Sequence, residues 1–245
     1  MENRENSAEQ LTNSEVTPNL LELKVVAENS ESKSDRVIVY CLPILGSSIV
    51  GESLKSLSQK ARAIYVVEVL KYGYPNFDQY VQQTKQRLEQ LTGYNPENLV
   101  FVGFSEGASL AARMGQAFNL PKKNVYLLAP ITSFRPSRAR LSAWRAQGRS
   151  KIDSNQRSDL KQYLKAFLSS QSRIYSPSDT VSRIDQIKAL NLSRKQWGSN
   201  PDDLTRGIVV TGNRDYISPP GDHTTININA THVLNDYMVF LNEAM

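Results

Sequence analysis

At 245 residues, 40% hydrophobic and 22% charged, the chain is long enough to bury one large core and has the composition of an ordinary globular protein. A single cysteine excludes a disulfide framework, and no apolar run approaches the ~20 residues that span a bilayer. The net charge is +5, and the opening Met1-Glu-Asn-Arg-Glu-Asn lacks the apolar stretch of a secretory signal, so the expected location is cytoplasmic.

Residues 1–19 are polar and read as a disordered tail, leaving 20–245 as a single domain. The weak alternation over 20–27 fits an edge strand. Residues 37–42, 63–70, 99–102, 125–129 and 208–211 are short runs of β-branched and aromatic residues, the pattern of strands covered on both faces. Between them lie helical segments. A short one is expected over 52–63. Phe77, Tyr80, Val81, Thr84, Leu88 and Leu91 recur at helical spacing, with Asn76 as N-cap and Gly93 past the end. A third covers 106–118 and stops before Pro121. Strands alternating with helices predict right-handed crossovers and a doubly wound, mainly parallel α/β sheet. In such sheets functional groups collect at the carboxyl ends of the strands. The interval 131–206 breaks the rhythm and reads as a helical lid inserted before the last strands.

Gly103-Phe104-Ser105-Glu106-Gly107 follows the apolar run 98–102 and opens the small-residue stretch Ala108-Ser109-Leu110-Ala111-Ala112. This is G-x-S-x-G in the strand–turn–helix setting that gives the motif its meaning. A serine on so sharp a turn needs neighbours without Cβ atoms, and the following helix aims its unpaired N–H groups above the hydroxyl. A turn serine with no chemical role is the bland alternative.

Serine is a weak nucleophile until a base takes its proton and a third group orients that base. The chain has two histidines, both after the serine. His232 follows a strand-like run (224–229) and precedes a helical one (233–241); His223 lies in the turn Gly221-Asp222-His223-Thr224. Asp215, just past the strand at 208–211, is the candidate orienting acid, although Gly-Asn-Arg-Asp also fits an Asx-turn. Asp215 to His223 is too short for a parallel crossover. His232 is therefore preferred and His223 kept as the alternative base. Glu106 matters for its backbone N–H; its side chain is expected to be a solvated acid at a helix N-terminus.

Charge is unevenly spread. Between Ser133 and Lys165 nine basic residues, Arg135, Arg138 and Arg140 among them, stand against only Asp153 and Asp159. Such a stretch is a candidate surface for acidic partners or, more blandly, a solvated helix face.

At this point the chain resembles the α/β-hydrolases, and within them the thioesterase domains and stand-alone thioesterases of fatty-acid, polyketide and peptide assembly lines. The likeness rests on Cys41-Leu-Pro43-Ile44-Leu45-Gly46-Ser47-Ser48, similar to their Pro-x-x-Gly oxyanion loop, and on the order of strand, amphipathic helix and elbow from Tyr65 to Gly107. It implies Ile44 as a second oxyanion donor beside Glu106. Two departures stand out. No carboxylate follows Leu127-Leu-Ala-Pro130, where assembly-line domains often carry the acid, and Ala108 replaces the second glycine of many elbows.

The expected activity is a serine hydrolase cleaving an acyl thioester or ester through Ser105, His232 and Asp215, with no metal and no cofactor. Carboxylesterases, lipases and protein deacylases share the elbow, so they remain alternatives of the same fold. A non-catalytic binding protein using the basic lid is a third reading. Arg135, Arg138 and Arg140 would receive an acidic carrier protein, coenzyme A or an anionic membrane surface; nucleic acid has little support without a binding motif.

Overall fold

Four strands with every residue buried form the centre of the molecule: Val37–Cys41 (β2), Ala63–Val69 (β3), Leu99–Phe104 (β4) and Val125–Leu128 (β5). Leu21–Glu28 (β1), Ile208–Gly212 (β6) and Ile226–Ile228 (β7) complete a seven-stranded sheet of order β1-β3-β2-β4-β5-β6-β7. The computed structural model describes residues 18–42, 54–91, 95–132, 188, 192, 195–215, 218, 220–232 and 234–245. Residues 1–17 of the expected tail 1–19, residues 43–53 and most of the expected lid lie outside them; the described end of that tail is held, Pro18 by Gln83 and Asn19 by Arg87.

The described sheet is parallel except for β1, which pairs antiparallel with β3 through a bulge between Val25 and Ala27. That strand's mostly exposed pattern matches its place at the edge. The alternation of side chains then builds two cores. Val37, Val39 and Cys41 of β2, with Leu99 and Phe101 of β4, face helices α1 (Asp78–Glu89) and α2 (Gly107–Ala117). Ile38, Tyr40, Val100, Val102 and Phe104 face the opposite way, toward Tyr237, Met238 and Leu241 of α4 (Leu234–Ala244). Each large apolar side chain so buried contributes about 1.5–3 kcal/mol. With both faces covered, this is the doubly wound architecture expected from the sequence.

Two local expectations need correction. The helix expected over 52–63 is shorter than that: Leu54 and Lys55 are helical, and residues 56–60 are turns. Leu57, Ser58 and Lys60 donate to carbonyls three residues back, the bonding of tight turns, and Ala63 already begins β3. Asn76 is displaced from its expected role by a residue: α1 begins at Asp78, whose N–H donates to Asn76 Oδ1 at 3.0 Å.

Residues 195–206, the end of the interval assigned to a lid, pack into the body. Trp197 is fully buried among Tyr72, Phe77 and Tyr80, with ring centroids 5.0–6.2 Å away. Ser109 of α2 donates to its carbonyl at 3.0 Å. A capping box between Asn200 and Asp203 then opens the short helix α3 (Pro201–Thr205), which leads into β6.

Candidate active site

The turn after β4 is held by exclusion of side-chain atoms. A Cβ on Gly103 would lie 2.4 Å from the Gly107 carbonyl oxygen and 2.6 Å from the Ala108 Cα; one on Gly107 would lie 2.1 Å from the Cys41 carbonyl oxygen. The glycines therefore let α2 cross directly over the ends of β4 and β2. Between them Ser105 takes φ 58°, a left-handed conformation unusual for a residue with a Cβ,. Its N–H donates to the Leu128 carbonyl of β5 at 2.9 Å, and its own carbonyl accepts from Ala108 N–H in α2. The strained residue is thus pinned to a strand on one side and a helix on the other. A second left-handed residue, Ala129 with φ 44°, sits at the neighbouring end of β5.

The side chains of Ser105, His232 and Asp215 meet at these carboxyl ends. Ser105 Oγ lies 3.1 Å from His232 Nε2, and His232 Nδ1 lies 2.8 Å from Asp215 Oδ2. A carboxylate offers only acceptors, so Nδ1 carries the proton and Nε2 is left to accept from the serine hydroxyl. Asp215 and Ser105 are buried, at 2% and 4% exposure, and Phe104 lies against the imidazole with centroids 5.1 Å apart. Low water content strengthens both contacts.

Asp215 is fixed through both oxygens. Oδ1 accepts from the Ser218 N–H at 2.8 Å. Oδ2 accepts from the Tyr237 hydroxyl at 3.0 Å as well as from His232. Ser218 Oγ in turn donates to the Pro130 carbonyl just beyond β5. The Asx-type bond to Ser218 and the contact to His232 coexist, so the turn-forming reading of Asp215 and the orienting one are compatible. Before His232, Thr231 donates from both N–H and Oγ1 to Asp236 Oδ2 at 2.8 Å, which ties the histidine loop to the first turn of α4.

The other candidates fall apart from this cluster or outside the described residues. His223 is exposed in a turn closed by Thr224 N–H on the Gly221 carbonyl, within the connection from β6 to β7. Glu106, at the N-terminal end of α2, is 8% exposed, so the acid expected to be solvated is a buried one. Ile44, Arg135, Arg138 and Arg140 lie outside the described residues. Cys41 is a buried free thiol whose burial pushes its pKa up, so it stays protonated and unreactive,. Among the described residues no group of three or more His, Cys, Asp or Glu is placed to hold a metal ion, and no helix is long and apolar enough to cross a membrane.

Sequence reasoning missed Tyr237, Ser218 and Phe104. Tyr237 carried a usable signal, since a tyrosine on the apolar face of a helix brings a polar tip that needs a partner.

No protein-family model and no curated protein sequence matches the chain. Solved structures do. The enol-lactonase from Burkholderia xenovorans LB400 superposes with a TM-score of 0.59 at 11% identity, over 91% of this chain and 95% of that one. A marine microorganism esterase gives 0.55 at 14% identity, over 93% and 100%. A thioesterase domain from the curacin biosynthetic pathway gives 0.50 at 16% identity, over 92% and 99%. At these identities the likeness carries the fold, and the fold is that of the α/β-hydrolases.

Proposed function

We propose that this α/β-hydrolase-fold chain is a serine hydrolase that cleaves an acyl ester or thioester through an acyl-enzyme on Ser105. One observation carries the reading: the unbroken run of contacts from Ser105 Oγ to His232 (3.1 Å) and from His232 to Asp215 (2.8 Å). In the proposed reaction His232 Nε2 takes the hydroxyl proton as Ser105 Oγ attacks the acyl carbon. Asp215 stabilises the imidazolium and keeps it in the productive orientation. The tetrahedral intermediate collapses as His232 returns the proton to the departing alcohol or thiol, leaving the acyl group on Ser105. Water, deprotonated by the same imidazole, then attacks that ester and releases the acid.

The developing oxyanion needs N–H donors that are in place before the reaction. Glu106, at the start of α2, supplies one, and the family resemblance assigns the second to Ile44. Loss of one such donor typically costs ~10²–10³ in rate. Enol-lactonase, esterase and thioesterase neighbours of the same fold support an acyl carbon as the electrophile and leave the leaving group open.

A fluorophosphonate should label Ser105 in the wild type and nothing in Ser105→Ala; an unlabelled wild type with normal folding would refute the reading. Parallel assays on acyl-CoA thioesters and p-nitrophenyl esters then separate thioesterase from carboxylesterase. We assign Arg135, Arg138 and Arg140 to the anionic part of a carrier such as coenzyme A. The KM for acyl-CoA, unlike that for a neutral ester, should therefore climb with salt. Equal salt responses would remove the basic stretch from substrate binding.

A further inference from the structure

Asp215 Oδ2 receives two donors, the His232 Nδ1–H at 2.8 Å and the Tyr237 hydroxyl at 3.0 Å, although a relay of serine, histidine and acid needs only the first. The second is built into the fold at some expense. Tyr237 comes from α4, is fully buried, and packs its ring 5.6 Å from that of Phe104. Room for its hydroxyl exists because residue 212 is glycine: a Cβ there would stand 3.0 Å from the phenolic oxygen and 2.2 Å from the Ala230 carbonyl oxygen. Burial first, and then the adjacent Asp215 charge, push the phenol above its ordinary range. It stays a donor at every pH at which the protein works.

We infer that Tyr237 is a positioning residue for the proposed hydrolysis: it locks the Asp215 carboxylate in the rotation that serves His232 and shares the negative charge the imidazole sees. With Ser218 N–H on Oδ1 and Tyr237 on Oδ2, the carboxylate cannot turn without losing a bond in a buried site. The phenol donates to the oxygen that would otherwise hold the imidazolium more strongly. It therefore limits how tightly the protonated imidazole is trapped. Among the described residues the neighbouring groups include Ser105 and Phe104 from β4 and its turn, Ser218 from the acid loop, Gly212 from β6 and Tyr237 from α4. Asp236 lies near enough to add its charge to the phenol but is engaged with Thr231.

This inference rests on the serine hydrolase reading, and its test separates the two. The second-order rate of fluorophosphonate labelling at Ser105 is followed from about pH 5 to pH 9 in wild type, Tyr237→Phe and Tyr80→Phe. Tyr80 is the control: a buried phenol that donates to the Lys71 carbonyl at 2.7 Å and belongs to the core on the opposite face of the sheet. Tyr237→Phe should lower the plateau rate about tenfold, as loss of one hydrogen bond to a charged group would, and displace the acid limb to higher pH. Tyr80→Phe should cost thermal stability while leaving the pH profile in place. An unchanged plateau and limb in Tyr237→Phe overturn the positioning role, as does an equal change in Tyr80→Phe. Absence of labelling in the folded wild type overturns the hydrolase reading and this inference with it.

Discussion

The two halves of the candidate site are built by different physics. The serine half is made by backbone: two glycines that admit no Cβ, a strand buried along its whole length, and a left-handed residue trapped between them. The acid and histidine half is made by side chains. Asp215 is held by Ser218 and Tyr237, and the His232 loop by Thr231 against Asp236. Steric exclusion tolerates almost no substitution, because the colliding atoms are main chain and cannot rotate away. A hydrogen-bonded carboxylate tolerates loss of a partner at moderate cost to stability and larger cost to chemistry. Substitutions at the two glycines of the first half should thus fail by unfolding, and those in the second half by losing reactivity.

Gly107→Ala makes the strongest demand on that contrast. The new methyl would stand 2.1 Å from the Cys41 carbonyl oxygen and 2.8 Å from that of Leu42, so α2 would have to lift from β2. Overpacking typically costs ~1–3 kcal/mol, and a backbone collision lies at or above the top of that range. For a chain of this size a melting temperature about 6–12 °C lower is expected. A scan in which Gly107→Ala melts with the wild type would mean that the elbow yields, and that its form is not set by sterics.

Asp215→Asn should do the reverse. The amide leaves one acceptor oxygen for three donors, Ser218 N–H, the Tyr237 hydroxyl and His232 Nδ1–H, and it has no negative charge to stabilise the imidazolium,. In comparable relays this exchange lowers turnover about 10⁴-fold with geometry intact. The melting temperature should move far less than in Gly107→Ala. Labelling of Ser105 at the wild-type rate would release Asp215 from its proposed role. A melting loss as large as that of the glycine variant would erase the distinction between the halves.

The same division explains what could be read from the sequence. Gly103, Ser105 and Gly107 announce the elbow because its requirements are local: a strand, a tight turn and a helix contiguous in the chain. The buried strands were legible for a similar reason, each being a short β-branched run. Residues 56–62 misled because their composition suits the continuation of a helix, while the hydrogen bonds there close three-residue turns on the way into β3. Glu106 misled because a charged residue reads as solvated until the crossing of α2 over the sheet is known. Tyr237 and Ser218 were invisible as partners of Asp215, being brought to it only by the return of α4 and by the turn of the acid loop. The choice of His232 over His223 rested on its place between a strand-like and a helical run as well as on chain length, and β7 and α4 do flank His232.

The smallest expected effect probes the strain itself. Ser105 has φ 58°, where a Cβ costs roughly 1–2 kcal/mol relative to glycine. Glycine gives back about 0.4–1 kcal/mol through the greater freedom of its unfolded chain. Ser105→Ala and Ser105→Gly both lose the hydroxyl and its contact to His232, so comparing them isolates the Cβ. The net of these two, about 1.6 kcal/mol at its largest, should let the glycine variant melt higher by up to roughly 3–6 °C at a shift of about 2–4 °C per kcal/mol for this size. In ordinary helical or strand backbone the order is the opposite, because glycine is there the less stable of the two. An alanine variant that melts above the glycine variant by the margin of ordinary backbone, about 0.5–1 kcal/mol, would mean that residue 105 carries no backbone strain. The stability of the turn would then come from its hydrogen bonds to Leu128 and Ala108, and the serine half would be held by the same means as the acid and histidine half.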